Sequence, residues 1–192
     1  KFDFRSNIVY EDEDTVIVNK GMGILSQKSK PDDVSVNEYL LNYLKYDGSR
    51  LNTFTPSICN RLDRNTTGLL VCGKSLEGLR VNNELIKTKA IGKYYLAIIS
   101  GIADEKQSIS GWLSKDEAGN KVTVRKNKFN NASFIQTEYL PLKKFKDITL
   151  VSVKLITGKT HQIRAHLASI GHPIIGDYKY GDERINEYYK KK

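Results

Sequence analysis

The sequence predicts an α+β fold, because segments typical of strands and of helices both occur but do not alternate in a regular βαβ order. Apolar or alternating runs bounded by turn residues predict strands at residues 16–18, 69–72, 93–100, 122–125, 134–140 and 148–156. Apolar residues at helical spacing predict helices that begin near Ser35, near Ser75 and after Thr160. The chain shows no internal repeat and no low-complexity linker.

The helix after Ser35 has the most complete local signal. Ser35 and Glu38 have the spacing of a capping box, in which the glutamate reaches back to the start of the helix. Apolar residues then recur at helical spacing, at Val36, Tyr39, Leu40, Tyr43 and Leu44. Gly48 supplies a stop signal. We expect an amphipathic helix with its aromatic rings in the core, and a second helix over 75–87 that Gly78 weakens.

The predicted strand at residues 93–100 has two distinct faces. The two-residue period of a strand places alternate residues on one face, namely Lys93, Tyr95, Ala97 and Ile99. The residues between them share the other face. Further along, the long predicted strand at 148–156 leads through a tight turn into a helix that ends near Gly171.

Charge favours a polyanionic partner. The 192 residues include 31 lysines and arginines against 22 acidic residues, a formal net charge of +9. Neutralising phosphates with such an excess releases counterions, although charge alone does not identify a nucleic-acid-binding protein. Basic residues concentrate at positions 125, 126 and 128, at 143, 144 and 146, and at 190–192. We interpret the last group as a solvated end of the chain.

The sequence also indicates the cellular compartment of the protein. No run of about 18 apolar residues predicts a membrane-spanning helix. The first residues lack the apolar run of a signal peptide. Cys59 and Cys72 have no partner at metal-ligand spacing, so we interpret them as small apolar residues in a reducing compartment. These features favour the cytoplasm.

The first candidate for chemistry is Asp63, which lies between Arg61 and Arg64 in a polar segment. Flanking cations favour the ionised form of a carboxylate. An ionised aspartate can act as a nucleophile toward an electrophilic carbon. The alternative is a surface loop held by ion pairs and by turn-forming Asn and Thr. The charge pattern alone leaves both readings open.

Tyr95 and the segment Leu155–Arg164 are the other candidates. A tyrosine on a strand can stack on an extruded base, or it can be an ordinary core ring. The segment Leu155–Arg164 ends a strand and opens a helix, where free amides favour an anion. Its Gly-Lys-Thr is not a P-loop, because that pattern requires glycine where Val153 stands. His161 and His166 are five residues apart with no acid between them, which argues against a zinc-binding pair.

Together these segments resemble the RluA-type pseudouridine synthase family. The three matched motifs, in chain order, are Arg61-Leu62-Asp63 with Thr66 and Gly68, then Lys93 with Tyr95 and Ala97, then Leu155 to Arg164. Similar stretches run from Glu11 to Lys20 and from Gly171 to Gly181. The resemblance spans residues 7–181, and three motifs in this order are specific.

The resemblance implies the pseudouridine synthase fold, with a mixed, mostly antiparallel central sheet in two subdomains flanked by helices around an active-site cleft. It implies an isomerase that converts specific uridines in RNA to pseudouridine without a cofactor or metal. We expect one catalytic domain over residues 1–192, with no separate N-terminal RNA-binding domain. The expected partner is ribosomal RNA rather than transfer RNA, and the expected state is a monomer that contacts no membrane.

The resemblance also implies roles for single residues. Asp63 is expected to be the nucleophile, whether toward the sugar C1′ or the uracil C6. Arg164 is expected to pair with Asp63, and Tyr95 to stack on the uracil and to assist proton transfer. Arg61 is expected to intercalate where the flipped base leaves the stack. The expected RNA or substrate contacts are those of Arg61, Lys93, Leu155, Lys159 and His161.

Three positions depart from the usual family pattern. Asn60 stands where the family usually has histidine, Lys20 precedes glycine rather than proline, and Lys159 stands where arginine is commoner. None of these departures removes the nucleophile. We expect Asn60 to alter local contacts with RNA.

Two other functions fit parts of the pattern. A non-catalytic RNA-binding module would use the same basic surface and base pocket, but pure binding does not require Asp63, Tyr95 and Arg164 together. An N-glycoside hydrolase would need a second carboxylate as general acid, and no motif supplies one. Free uracil as a product would identify the hydrolase.

Overall fold

The computed structural model describes residues 2–48, 54–116 and 119–191, and the chain divides into two compact units, Lys1–Ile91 and Gly92–Lys192. Lys1 and Lys192, the last residue of the predicted solvated tail, lie outside the described residues. Strands and helices occur in both units, and the α+β class is confirmed. None of the helices within the described residues is long and apolar enough to cross a membrane.

The first unit contains a four-stranded antiparallel sheet in the order β1-β2-β4-β3. Its strands and helices are β1 (Ile8–Glu11), β2 (Thr15–Lys20), α1 (Val36–Tyr43), β3 (Ser57–Ile58), β4 (Gly68–Gly73) and α2 (Leu76–Lys87). Its core combines one face of β2 and β4 with one side of α1. The fully buried side chains there are Val16, Val18, Val36, Leu40, Leu70 and Cys72.

Both predicted helices of this unit are confirmed. Glu38 reaches back as expected, and its carboxylate accepts hydrogen bonds from the amide (3.1 Å) and the hydroxyl of Ser35. In α2, the hydroxyl of Ser75 accepts the amide of Gly78 at 3.0 Å. A Cβ on Gly78 would lie 2.1 Å from the carbonyl oxygen of Asp14. The glycine therefore weakens the helix locally but lets it pack closely against the turn between β1 and β2.

The second unit contains a five-stranded antiparallel sheet in the order β5-β9-β8-β6-β7. Its strands and helices are β5 (Tyr94–Ser100), β6 (Gln107–Asp116), β7 (Lys121–Arg125), β8 (Ser133–Lys144), β9 (Ile148–Leu155), α3 (Gln162–Ser169) and α4 (Glu183–Lys190). The four strands and the helix predicted in this region are confirmed. On β5 the predicted faces are also confirmed, since Ile99 is buried whereas Tyr94 and Leu96 are exposed.

Two elements of this unit were not predicted. Strand β6 has serine at alternate positions and glycine in its middle, so its own sequence is a weak strand signal. It forms because β8 and β7 pair with it on both sides. Helix α4 is anchored by Asn186, whose side chain accepts the amide of Gly176 (2.7 Å) and donates to the carbonyl of Asp177 (3.1 Å). Helix α4 therefore continues to Lys190, whose side chain is exposed.

Candidate active site

Asp63 lies in the loop between β3 and β4, and its side chain is half-buried. The hydroxyl of Ser26 binds the preceding residue twice, accepting from the amide of Leu62 at 3.0 Å and donating to its carbonyl at 2.8 Å. The carbonyl of Asp63 itself accepts the amide of Thr66 at 3.0 Å. The backbone on both sides of the carboxylate is therefore fixed by hydrogen bonds.

The residue after Asp63 is held by a buried cation. Lys20 is fully buried at the end of β2, and its ammonium donates to the carbonyls of Gly21, Ile24 and Arg64, each at 3.0 Å. Burial lowers the pKa of Lys20, and the negative charge of Asp63 partly offsets that effect. The sequence motifs do not assign this role to Lys20. The available signal was strand alternation, which places Lys20 on the same inward face as the core valines of β2.

Replacing Lys20 by methionine is expected to destabilise the first unit and displace the Asp63 loop. The side chain keeps its length, but three carbonyls lose their donor, at a cost of about 2–4 kcal/mol in the free energy of unfolding. Denaturant unfolding and the rate of the proposed reaction would measure the two effects. Lys28→Met is the control, because Lys28 is exposed and donates to one carbonyl. Equal stability of the two variants would contradict the anchoring role.

Asn60 has a structural role that the sequence did not indicate. Its side-chain oxygen accepts the amide of Val71 at 2.8 Å, and its side-chain nitrogen donates to the carbonyl of Leu69 at 3.1 Å. The amide thus pairs with the backbone of β4 beyond the short strand β3. The expected effect of Asn60 on RNA contacts stays a prediction. Neighbouring Arg61 has an exposed side chain, as an RNA-contacting residue requires.

In the second unit, the structure brings the second motif against the start of the third. Tyr95 pairs with Val153 across β5 and β9, and the amide of Leu155 donates to the carbonyl of Lys93 at 3.0 Å. A Cβ on Gly158 would lie 2.9 Å from the ammonium nitrogen of Lys93. The sheet register therefore places Tyr95, which is predicted to stack on the base, beside Leu155 and Lys93, which are predicted to contact the substrate.

Arg164 of α3 is held by Asp177, a partner that the sequence motifs did not predict. Its Nε donates to Oδ2 of Asp177 at 2.7 Å and its Nη2 to Oδ1 at 2.9 Å. Asp177 is 8% exposed and also accepts the amides of Lys179 and Tyr180. Burial raises the pKa of Asp177, but the bonds and charge of Arg164 with those two amides outweigh it, so the pKa is lowered. The sequence could have pointed to Asp177, because it lies in the stretch 171–181 that resembles the family.

The ring of Tyr180 organises the start of α3. It lies 5.1 Å from the guanidinium carbon of Arg164, and its hydroxyl is 2.8 Å from Nδ1 of His161. The same hydroxyl accepts the amide of Val122 at 2.9 Å. His161 has a left-handed backbone, with φ of 54°. His161 and Arg164 of the third motif are therefore both positioned by Tyr180.

Gln162 and His166 are the buried polar residues of α3. The side-chain oxygen of Gln162 accepts the amide of Lys159 at 3.1 Å and the hydroxyl of Thr157 at 2.9 Å, which shapes the turn and leaves the Lys159 side chain exposed. Nδ1 of His166 lies 3.0 Å from the hydroxyl of Thr137. Burial lowers the pKa of His166 to about 4, so it is neutral at physiological pH. His166 is a core residue.

The candidate site residues fall in both units. Asp63 and Arg61 belong to the first unit, and the others to the second, namely Lys93, Tyr95, Leu155, Lys159, His161 and Arg164. The ion pair between Asp63 and Arg164 and the common cleft stay predictions. Within residues 2–48, 54–116 and 119–191, no three His, Cys, Asp or Glu side chains are grouped to hold a metal ion.

Comparison with known proteins gives a family match. The model of the family described as RNA pseudouridylate synthase matches residues 14–169, a range that includes Asp63, Tyr95 and Arg164. Over 190 residues the chain is 36% identical to ribosomal large subunit pseudouridine synthase D of Borreliella burgdorferi, covering 96% of this chain and 56% of that protein. It is 34% identical over 182 residues to ribosomal large subunit pseudouridine synthase C of Vibrio cholerae, covering 94% and 55%.

The chain thus spans little more than half the length of these curated relatives. Among solved structures, it is similar to human RNA pseudouridylate synthase domain containing 1. The TM-score is 0.76 at 24% identity, over 95% of this chain and 72% of that one. Human RNA pseudouridylate synthase domain containing 4 gives 0.75 at 24% identity, over 95% and 71%. These two structures establish the fold.

Proposed function

This chain belongs to the RNA pseudouridylate synthase family, of the RluA type, and from that membership we propose that it isomerises uridine in RNA to pseudouridine. The observation that carries the proposal is the anchoring of the Asp63 loop. Ser26 and Lys20 bind the backbone on either side of a half-buried carboxylate, and the family match includes this loop. A fixed, partly desolvated carboxylate is suited to attack at one position of a bound nucleotide.

The proposed reaction breaks the N1–C1′ bond of uridine and forms a C5–C1′ bond. The proton on C5 is lost and N1 gains one, so substrate and product are isomers. Asp63 is the nucleophile in this scheme, toward either C1′ or C6. The reaction is neither a redox step nor a hydrolysis, and the proposal requires no cofactor or metal.

Arg164 and Tyr95 have supporting roles in the proposal. The contacts of Arg164 with Asp177 and with the ring of Tyr180 limit the directions in which its guanidinium can point. A guanidinium held in this way can pair with Asp63 and keep it ionised. Tyr95 projects from β5 on the face that Ile99 and Ala97 share, where its ring can stack on the uracil.

A uridine within a stacked helix has to be flipped out before Asp63 can reach it, at a cost of a few kcal/mol. Exposed Arg61 can stack in the gap that the base leaves. Lys93, Lys159 and His161 supply polar and cationic contacts for the extruded nucleotide and its phosphates. Leu155 supplies the apolar side of the pocket.

Ribosomal RNA is the proposed substrate, because the curated relatives are named for the large ribosomal subunit. We further propose a cytoplasmic monomer, with RNA as its partner.

The proposal is tested by mapping pseudouridine in ribosomal RNA incubated with the purified protein. We expect modification at a small number of specific uridines, detected by mass spectrometry and by a chemical adduct that stops reverse transcription. Transfer RNA is the comparison substrate. Binding of RNA without any pseudouridine would favour the non-catalytic module instead, and release of free uracil would favour the hydrolase.

A further inference from the structure

One surface of the second unit combines aromatic rings with cations. Trp112 of β6 pairs with Arg125 of β7 on one side and with Phe134 of β8 on the other. Residues directly opposite across strands project from the same face of a sheet, so these three side chains form one row. Their sequence neighbours Leu113 and Ile135 point the other way, into the core. The row therefore lies on the face away from that core.

The rings of this row are partly accessible and are flanked by cations. Phe134 is 47% exposed and packs edge-on against Trp112, with ring centroids 5.7 Å apart. The ammonium of Lys128 lies 5.4 Å from the ring centroid of Trp112. The guanidinium carbon of Arg125 lies 4.6 Å from the ring centroid of Phe129. We call Trp112, Arg125, Lys128, Phe129 and Phe134 the cation–aromatic row.

The chain segment that carries most of this row is basic, although Asp116 of β6 stands opposite Lys121 of β7. Residues 119–137 contain Lys121, Arg125, Lys126 and Lys128 and no acidic residue. The cations therefore have no acidic partner within their own segment. Such a surface attracts a polyanion, and the attraction depends strongly on salt.

We propose that the cation–aromatic row binds a single-stranded segment of RNA, an inference that rests on the proposed function and specifies a second contact with the substrate. Proteins hold single strands by neutralising phosphates with Lys and Arg while unpaired bases stack on aromatic rings. Along a duplex the base faces are stacked on one another, so they are not available to stack on an aromatic side chain. The exposed ring of Phe134 can stack on an unpaired base while the neighbouring cations bind phosphates, which is the combination that a single strand requires.

Trp112 provides a direct probe of this binding. It is the only tryptophan in the chain, so its fluorescence, excited where tyrosine does not absorb, reports on the row. Titration of the whole chain with an unstructured uridine oligonucleotide is expected to change this fluorescence in a saturable way. A matched RNA duplex is expected to bind more weakly and to change the signal less. An equal effect of the duplex would overturn the preference for single strands.

Two matched pairs of variants locate the contact. Lys126→Gln with Lys128→Gln removes two cations at the row, whereas Lys143→Gln with Lys146→Gln removes one cation near the other end of β8 and one just beyond it. Only the first pair is expected to weaken oligonucleotide binding. It should also reduce the slope of log affinity against log salt by about 0.7 per cation. Equal weakening by both pairs would contradict a localised contact.

The aromatic contribution has its own control. Phe134 and Phe145 are both 47% exposed, so Phe134→Ser and Phe145→Ser remove similar exposed rings. Only Phe134→Ser is expected to weaken binding, by at least about fivefold. If Phe134→Ser lowers the melting temperature, the variant with Lys126→Gln and Lys128→Gln is used instead to decide whether the row binds RNA, because both lysines are exposed.

The outcomes separate this inference from the proposed function. A Trp112 response that persists in a protein forming no pseudouridine would leave the RNA surface intact and reject only the isomerase. Pseudouridine formation with no Trp112 response to the oligonucleotide would reject the RNA surface alone.

Discussion

Replacing Asp63 by asparagine is expected to slow pseudouridine formation by at least about a thousandfold. The amide has nearly the shape of the carboxylate but is a far weaker nucleophile. The hydrogen bonds that anchor the loop through Ser26, Lys20 and Thr66 involve the backbone of Leu62, Asp63 and Arg64, which the substitution leaves in place. We therefore expect the melting temperature and the affinity for RNA to change little. Release of tritium from C5 of labelled uridine in RNA measures the rate.

Asp32→Asn is the matched control for this experiment. Asp32 is an exposed aspartate in the same unit, and its replacement also removes one negative charge. It should retain the wild-type rate. A wild-type rate in Asp63→Asn would contradict the assignment of Asp63 as the nucleophile. A large fall in the melting temperature of this variant would mean that the carboxylate has mainly a structural role.

Replacing Arg164 by alanine is expected to cost both stability and activity. Asp177 would remain almost fully buried without its two guanidinium hydrogen bonds, which lowers the free energy of unfolding by about 3 kcal/mol. If Arg164 also holds Asp63 ionised and oriented, the rate should fall by about a hundredfold or more. Denaturant unfolding gives the first quantity, and tritium release at a temperature where the variant is folded gives the second.

Asp177→Asn separates the two effects. This variant also breaks the ion pair with Arg164 but leaves the guanidinium in place. We expect a comparable loss of stability and a smaller loss of rate, and Arg164→Lys should recover part of the activity by restoring the charge. A normal rate in Arg164→Ala would count against pairing with Asp63. Equal rate losses in Arg164→Ala and Asp177→Asn would reduce Arg164 to a structural role.

Local signals predicted most of the regular structure. The capping box of Ser35 and Glu38 and the spacing of apolar residues identified α1, and apolar spacing also indicated α3, because these signals act within a few residues. The two faces of β5 followed from alternation alone. Strand β6 and helix α4 escaped prediction, because β6 depends on partners on both sides and α4 on one buried asparagine, Asn186.

By itself the sequence determined the fold class, the positions of the main helices and strands, and the motif residues that identify the family. Only the tertiary structure decided that Lys20 is a buried donor to the Asp63 loop, and that Asp177 is the carboxylate bound to Arg164. The physical reason is the distance along the chain over which each interaction acts. Helix caps and apolar periodicity act along the chain, whereas the partner of a buried charge depends on which groups folding brings within a few ångströms.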